Sequence, residues 1–453
     1  MAQNPAERLV DHALNLRWAD VPQAARDRAA TFLHDSLAVG VSGVGGAHAD
    51  ALLAMAQGWG QGNDCGVLGR PDVRLPAASA AFVNAYQIHG QEYDCVHEPA
   101  VLHPMATLLA ALLAEASRGE PVSGERFLTA IVAGVDVAVT LGLAAPGPLK
   151  FFRPATAGIF GCVAGIAALR GLDRDVALDA FGHALALVSG TMQAHLEGKP
   201  ALPVQVAAAA RNALVAVDLA RGGMPGVRDP LLGPFGYFPL MEVREELDAA
   251  IALLDQGHRI TEVSWKPFPT GRAGHGGIVA VQALMERGLK ADDLDRLEYH
   301  APPLIHRLVG RPAKPAMEPG YARLCLAYLA ATVLVKGQIG LDDFSRQALD
   351  DPAVLAVAER IRVVADSNPD AAAFVPARMV ATLKDGAQMF EHVTAQLGAP
   401  AWPLTPQQHD AKARACLAFA GLESLHEGLA QTIKNFAEAP DALAAIRQTG
   451  VIA

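Results

Sequence analysis

The sequence has few charged residues. Asp, Glu, Lys and Arg make up 19% of its 453 residues, whereas hydrophobic residues make up 51%. Disordered and coiled-coil proteins need a larger charged fraction, so the composition excludes both classes. The apolar majority is ample for a sizeable buried core. Because so little charge is left for the surface, we expect subunit association, most simply a homodimer, to cover part of the apolar area.

Acidic residues outnumber basic residues. The formal net charge is −10 and the sequence pI is about 5.8. This balance argues against nucleic acid or an anionic membrane surface as the main partner. A small anion is still a possible substrate, because a local group of Lys, Arg and His can bind it against the overall charge.

Cysteine is scarce and scattered, and none of the five positions forms a CxxC pair: Cys65, Cys95, Cys162, Cys325 and Cys416. This spacing fits neither a disulfide framework nor a zinc site and favours a reducing compartment. Residues 1–22 alternate charged and apolar positions and lack a signal-peptide core, so we expect a cytoplasmic protein. The longest apolar stretches are interrupted by charged residues, which predicts packed helices and not membrane spans.

Several motifs of catalysis and cofactor binding are missing. The sequence has no GxxxxGK[ST], and Gly43-Val44-Gly45 lacks the third glycine of GxGxxG. Ser42 lies in Gly40-Val41-Ser42-Gly43 and not in GxSxG. Phosphate-loop, dinucleotide-binding and esterase functions therefore have no support.

Helical patterns dominate both ends of the chain. Residues 5–254 contain Ala/Leu/Val-rich segments of helical length that end at Gly or Pro, and residues 404–446 are helical again. Between them lie four strand-like runs, at 297–301, 361–365, 379–383 and 388–394. We predict a mainly α protein, with a large helical domain (1–265 and 401–453) split by an inserted, smaller α+β lid domain (266–400). The crevice between such domains is a favoured place for a small-molecule site.

The densest polar cluster spans residues 89–103, with three histidines and three acids just before an apolar helix. Pro104 suits the first turn of that helix, which places His103 at its N-terminus, where free amides favour an anion. His103 is therefore a candidate general acid or base; the alternative is a histidine that only caps the helix. The spacing is not HExxH, and His195-Leu196-Glu197 lacks a PCxxC partner, so we expect no metal site.

Four cationic or histidine side chains further along are candidates for binding carboxylates. Lys199 and Lys266 each lie between Gly or Trp and Pro at the junction of two predicted elements. For any lysine the default interpretation is a surface position, and this context argues against it. Arg272 and His275 are three residues apart at the start of a helix whose predicted cap is Thr270. Such a pair suits carboxylate recognition.

Several of these motifs together resemble the MmgE/PrpD family, the group of 2-methylcitrate dehydratase, cis-aconitate decarboxylase and iminodisuccinate epimerase. The series Asn84, His89, Glu92-Tyr93-Asp94 and His103-Pro104 is similar to the family pattern NG…H…DFDD…HP. Further matches follow in order, and the resemblance covers residues 6–420: His34-Asp35-Ser36-Leu37, Gly198-Lys199, Lys266-Pro267-Phe268-Pro269 and Tyr328.

The resemblance implies a homodimer without metal or organic cofactor and an active site between a helical and an α+β domain. It implies catalytic roles for His103, Lys199, Lys266 and Tyr328. The substrate-binding residues that we expect are His89, Glu92, Asp94, Arg153, Arg272 and His275. Four positions depart from the family pattern: Glu92 replaces the usual first Asp, Cys95 replaces an acid, Val96 stands where Thr is common, and Arg153 stands where His is common. The stretch Glu98–Leu102 is also longer than in the decarboxylase.

The function that we expect is a cofactor-free lyase, either a dehydratase/hydratase or a decarboxylase, acting on a small di- or tricarboxylic acid. The cations would neutralise the carboxylates and the charge of an enediolate intermediate, while His103 moves a proton. Two alternatives stay open: an epimerase of a dicarboxylic acid, and an inactive homologue that only binds carboxylates.

Overall fold

The computed structural model describes residues 4–147, 149–243, 245–370 and 372–453. The helices in these ranges are α1 (Pro5–Asn15), α2 (Gln23–Ser42), α3 (Ala49–Gln57), α4 (Ala77–His89), α5 (Pro104–Ala116), α6 (Gly124–Leu143), α7 (Arg153–Thr156), α8 (Gly158–Arg170), α9 (Arg174–Leu187), α10 (Gln193–Glu197), α11 (Ala201–Arg221), α12 (Tyr237–Met241), α13 (Leu247–Ala252), α14 (His275–Glu286), α15 (Pro303–Val309), α16 (Pro319–Ala322), α17 (Leu326–Lys336), α18 (Arg346–Leu349), α19 (Pro352–Ala358), α20 (Pro406–Phe419), α21 (His426–Lys434) and α22 (Ala442–Gln448). The strands are β1 (Cys65–Val67), β2 (Arg70–Leu75), β3 (Leu294–Ala301), β4 (Ile361–Ala365), β5 (Ala377–Leu383) and β6 (Gln388–Val393).

The first hydrophobic core is built from tightly packed, alanine-rich helices. The crossing of α6 and α8 shows why small residues are needed. A Cβ atom added at Gly134 would lie 2.8 Å from the Gly161 carbonyl oxygen, and one added at Gly161 would lie 2.6 Å from the Gly134 carbonyl oxygen. Since side chains do not fit at such distances, the two backbones can meet this closely only through glycine.

The second hydrophobic core surrounds a four-stranded sheet in the order β4–β3–β5–β6. β3 is parallel to β4 and antiparallel to β5, and β6 is antiparallel to β5. The β5–β6 turn contains Gly386 at φ +88°, a conformation that favours glycine. Helix α14 packs on β5 and β6, and α17 packs on β4. All four predicted strands are confirmed.

The C-terminal helices return to the first core. Cys416, Leu429 and Ile446 belong to the same buried cluster as the helices before residue 253, whereas the second cluster spans Ala273 to Val393. The mainly α class with a smaller α+β part is confirmed. The insertion itself, with boundaries at 266 and 400, stays a prediction.

Local details differ from the predicted elements. The hairpin β1–β2 lies inside the stretch predicted to be helical, with Gly69 at φ +69° in its turn. The apolar run 156–169 has the sequence pattern of one helix, but it is divided between α7 and α8 around Ala157. The apolar run 321–336 has the same pattern, and residues 323–325 divide it into α16 and α17.

Among the described residues, two helices are long and apolar enough to cross a membrane by length and composition: Gly124–Leu143 and Ala201–Arg221. A third span is counted if the bent pair Gln23–Gly45 and Ala49–Gln57 is taken as one. In Gly124–Leu143, 89% of the apolar window is buried inside the protein, and in Ala201–Arg221 50%. Packing within the protein therefore accounts for the apolar character of the first helix.

Candidate active site

A cleft lies where the two cores meet, and it holds two adjoining pockets. The His103 pocket has a volume of about 610 Å³ and is lined by side chains from both cores, among them Glu92, His103, Phe152, Arg153, His195, Arg272, Leu308, Val309 and Phe374. The Arg323 pocket has a volume of about 560 Å³ and is lined by residues that include His89, Glu92, Lys199 and Arg323. Glu92, Leu202 and Leu324 line both pockets.

The loop between α4 and α5 carries most of the polar residues of the cleft. Glu92 and Val101 have φ values of +51° and +50°, a region that costs a non-glycine residue about 1–3 kcal/mol. Hydrogen bonds hold the loop in this shape: the Gln91 side-chain amide donates to the Ser42 carbonyl at 2.6 Å, and the His97 N–H donates to the Leu102 carbonyl at 2.7 Å. The strained backbone therefore fixes where Glu92 points.

Asp94 is the centre of what we name the acid–base cluster, formed by His89, Glu92, Asp94, His103 and Lys266. The Asp94 Oδ2 atom lies 3.0 Å from His89 Nδ1 and 3.2 Å from His103 Nδ1. The Lys266 ammonium donates to Glu92 Oε2 at 2.6 Å and lies 3.7 Å from Asp94 Oδ1. The predicted residues from the α4–α5 loop and Lys266, 163 positions after His103, are thus brought together (266 − 103 = 163).

His103 occupies the N-cap position of α5, with Pro104 in the first turn as predicted. Its side chain makes no capping hydrogen bond within the described residues. The imidazole instead lies against Asp94 and lines the pocket, with 14% of the side chain exposed. The geometry therefore does not support the alternative of a histidine that only caps the helix.

The two carboxylates of the acid–base cluster are stabilised as anions. Burial would raise the pKa of Asp94, but the charges of His89, His103 and Lys266 hold that pKa well below its usual range. Burial would also raise the pKa of Glu92, but Lys266 and the two histidines hold that pKa at about 2. Both side chains are therefore ionised at neutral pH.

The two histidines are driven in opposite directions. Burial lowers the pKa of His103, and the charges of Lys266 and His89 add to this effect against the attraction of Asp94. Burial also opposes the charged form of His89, but Asp94 and Glu92 raise its pKa above the usual value. At neutral pH His103 is thus biased towards the neutral base and His89 towards the protonated acid.

Arg272 reaches the His103 pocket from the second core and is already paired. Its Nε donates to Glu98 Oε1 at 2.6 Å, and its Nη1 donates to the Leu397 carbonyl at 2.6 Å. A substrate carboxylate at Arg272 therefore meets a guanidinium whose charge Glu98 partly compensates.

His275 lies behind Arg272. Its Nδ1 accepts from Arg272 Nη1 at 3.3 Å, and its Nε2 donates to the Thr270 carbonyl at 3.2 Å. Burial, and then the charge of Arg272, holds the pKa of His275 well below its usual range, so the ring is neutral. His275 is not among the described residues that line either pocket, so it acts by orienting Arg272.

The predicted cap at Thr270 is wrong. A 3₁₀ turn, Arg272–Gly274, precedes α14, so the helix begins five residues after Thr270 (275 − 270 = 5). The α14 N-cap is Gly274. Thr270 contributes its backbone carbonyl to His275 and not its hydroxyl to the helix terminus.

Arg153 and Lys199 occupy different settings in the cleft. Arg153 lines the His103 pocket but forms a two-pronged pair with Glu242, with both N–O distances at 3.1 Å. Lys199 is exposed and follows Gly198, which has φ +64°. Lys199 lines the Arg323 pocket, and the described part of the chain offers it no carboxylate partner. Lys199 is therefore the more available cation.

Tyr328 does not join the other predicted site residues. It is buried in the second core, where its hydroxyl donates to the Asp343 carbonyl at 2.5 Å and lies 3.3 Å from the Ala348 carbonyl. It is not among the described residues that line either pocket. Because two backbone carbonyls engage the hydroxyl, this geometry gives Tyr328 a structural position and no contact with the cleft.

Sequence reasoning missed Arg323, which lines the second pocket. Its guanidinium is buried and donates to the Pro269 carbonyl at 2.6 Å and to Gln91 Oε1 at 2.8 Å. No carboxylate within the described ranges forms an ion pair with it. Burial lowers its pKa to about 9, although Glu92 acts in the opposite direction. The available signal was an arginine inside an apolar stretch, at residues 321–336.

His195 was weighed only as part of a zinc motif, yet it lines the His103 pocket. Burial, and then the charge of Arg311, lowers its pKa to about 4, so the ring is neutral. The nearby Gly198-Lys199 step was the signal that placed this segment at the site.

The acid–base cluster also contains a set of atoms able to ligate a metal. His89, Asp94 and His103 each offer one ligand atom, and these atoms lie within 4.8 Å of one another. However, the Lys266 ammonium is 3.7 Å from Asp94. A positive charge at this distance opposes a divalent cation.

Comparison with known families decides the assignment. The model of the MmgE/PrpD N-terminal domain matches residues 7–250, and that of the MmgE/PrpD C-terminal domain matches residues 268–436. The chain belongs to the MmgE/PrpD family. The short stretch between the two matched regions contains Lys266, which therefore stands at the junction of the two MmgE/PrpD domains.

Curated relatives share the whole architecture. A cis-aconitate decarboxylase-like protein, oryM, of Aspergillus oryzae is 29% identical over 412 residues, which is 84% of each chain. The cis-aconitate decarboxylase of Mus musculus is 29% identical over 412 residues, 86% of this chain and 81% of the mouse protein. That of Homo sapiens is 28% identical over 397 residues, 83% of this chain and 80% of the human protein. The similarity to these MmgE/PrpD proteins extends across both cores.

Proposed function

We propose that this MmgE/PrpD protein is a lyase acting on a small polycarboxylic acid of the aconitate type, held in the cleft. The carrying observation is the acid–base cluster, in which one carboxylate, Asp94, joins two histidines of opposite protonation bias. Proton transfer to and from carbon needs one base and one acid close together. The names of the relatives favour decarboxylation over dehydration.

The charges of the cleft support a substrate with more than one carboxylate. Arg153, Arg272 and Lys266 are each paired with a glutamate of the protein. Arg323 and Lys199 have no such partner within the described ranges, and both line the Arg323 pocket. We infer that substrate carboxylates supply the missing counter-ions there, which orients the reacting carbon towards the His103 pocket.

The chemistry follows from the two pockets. His89 lines the Arg323 pocket and His103 lines the His103 pocket, with Asp94 between them. In a decarboxylation, the bond between carbon and one carboxylate breaks, CO₂ leaves, and the electron pair spreads onto the remaining unsaturated acid. A protonated histidine then delivers a proton to carbon. Arg272 stabilises the anionic intermediate while it exists, and Lys266, which lines neither pocket among the described residues, acts through the charges of Glu92 and Asp94.

Product analysis by NMR in deuterated buffer tests the proposal with citrate, methylcitrate, aconitate, tartrate and aspartate-derived acids. A lyase loses CO₂ or water, or adds water to an alkene, and leaves deuterium at a defined carbon. An epimerase exchanges one C–H without losing a group. Binding without any change of the acids would instead favour an inactive homologue and would overturn the proposal.

Arg323 gives a prediction about substrate binding. Its guanidinium lines the Arg323 pocket without a carboxylate partner in the described ranges, so a substrate carboxylate would be its counter-ion and would depend on it for affinity. Arg323→Met should raise KM about 10–100-fold at pH 7.5, since a charge-assisted hydrogen bond is worth about 1.5–3 kcal/mol.

The matched control for Arg323 is Arg362→Met, because the Arg362 side chain is 65% exposed on β4, outside the cleft. Steady-state kinetics at pH 7.5 compare the two variants. An Arg323→Met enzyme with unchanged KM would remove Arg323 from substrate binding.

We also propose that turnover needs no metal. The acid–base cluster already contains Lys266 as its cation, so full activity is expected in excess EDTA. Loss of turnover in EDTA, restored by one divalent ion, would contradict this proposal.

We propose a homodimer, and one surface segment fits an interface. Six large apolar side chains are exposed within residues 224–243: Met224, Val227, Leu232, Phe235, Leu240 and Val243. Phe235 is the most open at 80%. Phe235→Asp should shift the protein from dimer to monomer in light scattering at micromolar concentration. Phe390→Asp, on the exposed face of β6 at 40%, should leave the mass unchanged.

A further inference from the structure

A second group of side chains able to bind a metal comes from three separate elements. None of its members belongs to the acid–base cluster or is among the described residues that line either pocket of the cleft. His12 lies on α1, Asp136 lies on α6, and His258 precedes the 3₁₀ turn Arg259–Glu262. The Asp136 Oδ2 atom is 3.0 Å from His12 Nε2 and 2.7 Å from His258 Nδ1. We propose that these three side chains form a binding site for a divalent first-row transition ion such as Zn²⁺.

The distances fit a metal with two imidazole ligands and one carboxylate ligand. The three ligand atoms lie within 4.8 Å of one another. With metal–ligand bonds of about 2.0–2.1 Å, tetrahedral coordination separates neighbouring ligand atoms by about 3.3 Å. The oxygen–nitrogen distances of 2.7 and 3.0 Å therefore need to open by only a few tenths of an ångström.

The carboxylate of this group is held in place by a contact outside the ligand set. Asp136 Oδ1 accepts a hydrogen bond from the Arg259 backbone N–H at 2.7 Å, which leaves Oδ2 directed at the two imidazoles. Contacts of this kind orient ligands in known metal sites. Asp136 is fully buried within an apolar helix, where an anion needs compensating charge. The two imidazoles supply hydrogen bonds there, and a divalent ion would supply compensating charge.

The group is accessible from solvent. His12 has 19% of its side chain exposed and His258 has 10%. His12 also lines a surface pocket of about 800 Å³, whose lining includes Asp11, Asp20 and Asp255. Asp11 is paired with Arg174 and Asp20 with Arg17, so the pocket supports the proposal through its access and not through its charge. The pocket leaves room for a fourth ligand such as water.

An ion here would fasten α1 to the segment that leads to Lys266. Arg259, next to His258, donates through its side chain to Glu262 at 2.6 Å, and Glu262 contacts His97 Nε2 at 3.0 Å. Further on, the Ser264 hydroxyl donates to Glu98 at 3.0 Å. The proposed ion is thus structural, because it stabilises this segment without touching either pocket of the cleft.

The test is metal binding by the full chain after removal of bound metal with a chelator. Isothermal titration with Zn²⁺ and the visible spectrum of added Co²⁺ report stoichiometry and coordination. We expect wild type to bind one ion at this site with a rise in melting temperature. His12→Ala/His258→Ala should lose that ion and the rise. The matched control, His183→Ala/His300→Ala, should keep both, because His183 and His300 belong to neither ligand set.

Asp136→Asn is the second test variant, since it keeps the size and the acceptor for the Arg259 N–H while removing the ligand charge. It should bind Zn²⁺ at least 100-fold more weakly. Equal stoichiometry in wild type and His12→Ala/His258→Ala, or no binding by wild type, overturns the proposal. Binding that is lost only in His103→Gln assigns the ion to the cleft and overturns it as well. None of these results depends on turnover, so they leave the proposed lyase function to its own experiment.

Discussion

His103→Gln should lower kcat by about 10²–10⁴-fold, the range for loss of a general acid or base, and leave KM within about threefold. Glutamine keeps much of the size and the hydrogen bonding of histidine but can neither accept a proton from the substrate nor donate one to it. Since the His103 side chain makes no capping hydrogen bond within the described structure, the free energy of unfolding should change by less than about 1 kcal/mol. Steady-state kinetics and urea unfolding measure the two quantities.

His183→Gln is the control for this variant, because His183 bonds only to the Met224 carbonyl among the described contacts of its ring. It should retain the wild-type rate. A His103→Gln protein that unfolds far more easily yet keeps most of its rate would make His103 a structural residue, and the base would then have to be sought elsewhere in the cluster.

Lys266→Met should abolish measurable turnover and also lower the free energy of unfolding by about 3–5 kcal/mol. Lys266 is fully buried, and its ammonium lies 2.6 Å from Glu92 and 3.7 Å from Asp94. Removing it leaves the ionised Glu92 without its nearest cation and takes one of the neighbouring positive charges from Asp94. The sequence context of Lys266, between Trp265 and Pro267, already argued against a surface lysine. Only the structure shows that Lys266 also contributes to the stability of the fold.

Lys412→Met separates the two effects. Lys412 is also buried and pairs with Asp35 at 2.7 Å, but among the described residues it forms no ion pair with the acid–base cluster. The Lys412→Met protein should lose comparable stability while keeping most of its rate below its melting temperature.

Lys199→Met should raise KM without lowering the free energy of unfolding, because Lys199 is exposed. A stable and active Lys266→Met protein would contradict the assignment of Lys266 to the site.

The parts of the site that could be predicted are those encoded locally. The α4–α5 loop is a compact run of polar residues before an apolar helix, so His89, Glu92, Asp94 and His103 were identifiable together. The strands β3–β6 were equally visible, because β-branched and apolar runs alternate with turn residues there.

The parts that could not be predicted depend on partners far apart in sequence. Arg323 is held by Gln91, 232 positions away, and the availability of its charge follows from that neutral contact. Arg153 was expected to bind substrate, but it pairs with Glu242. Packing brings the two residues together, and no sequence motif near Arg153 indicates this contact. Tyr328 was predicted to be a site residue only from the family resemblance. The sequence pattern does not show that its hydroxyl lies against two backbone carbonyls.

The division of the His103 pocket between two cores has a consequence for how such enzymes diversify. The proton-transfer groups come from residues 89–103 and Lys266, whereas Leu308, Val309 and Phe374 form a wall contributed by the second core. A substitution in that wall changes which side chain of an acid fits, without moving His103 or Asp94. Substitutions in the second core can therefore change which acid is preferred, while the acid–base cluster stays the same.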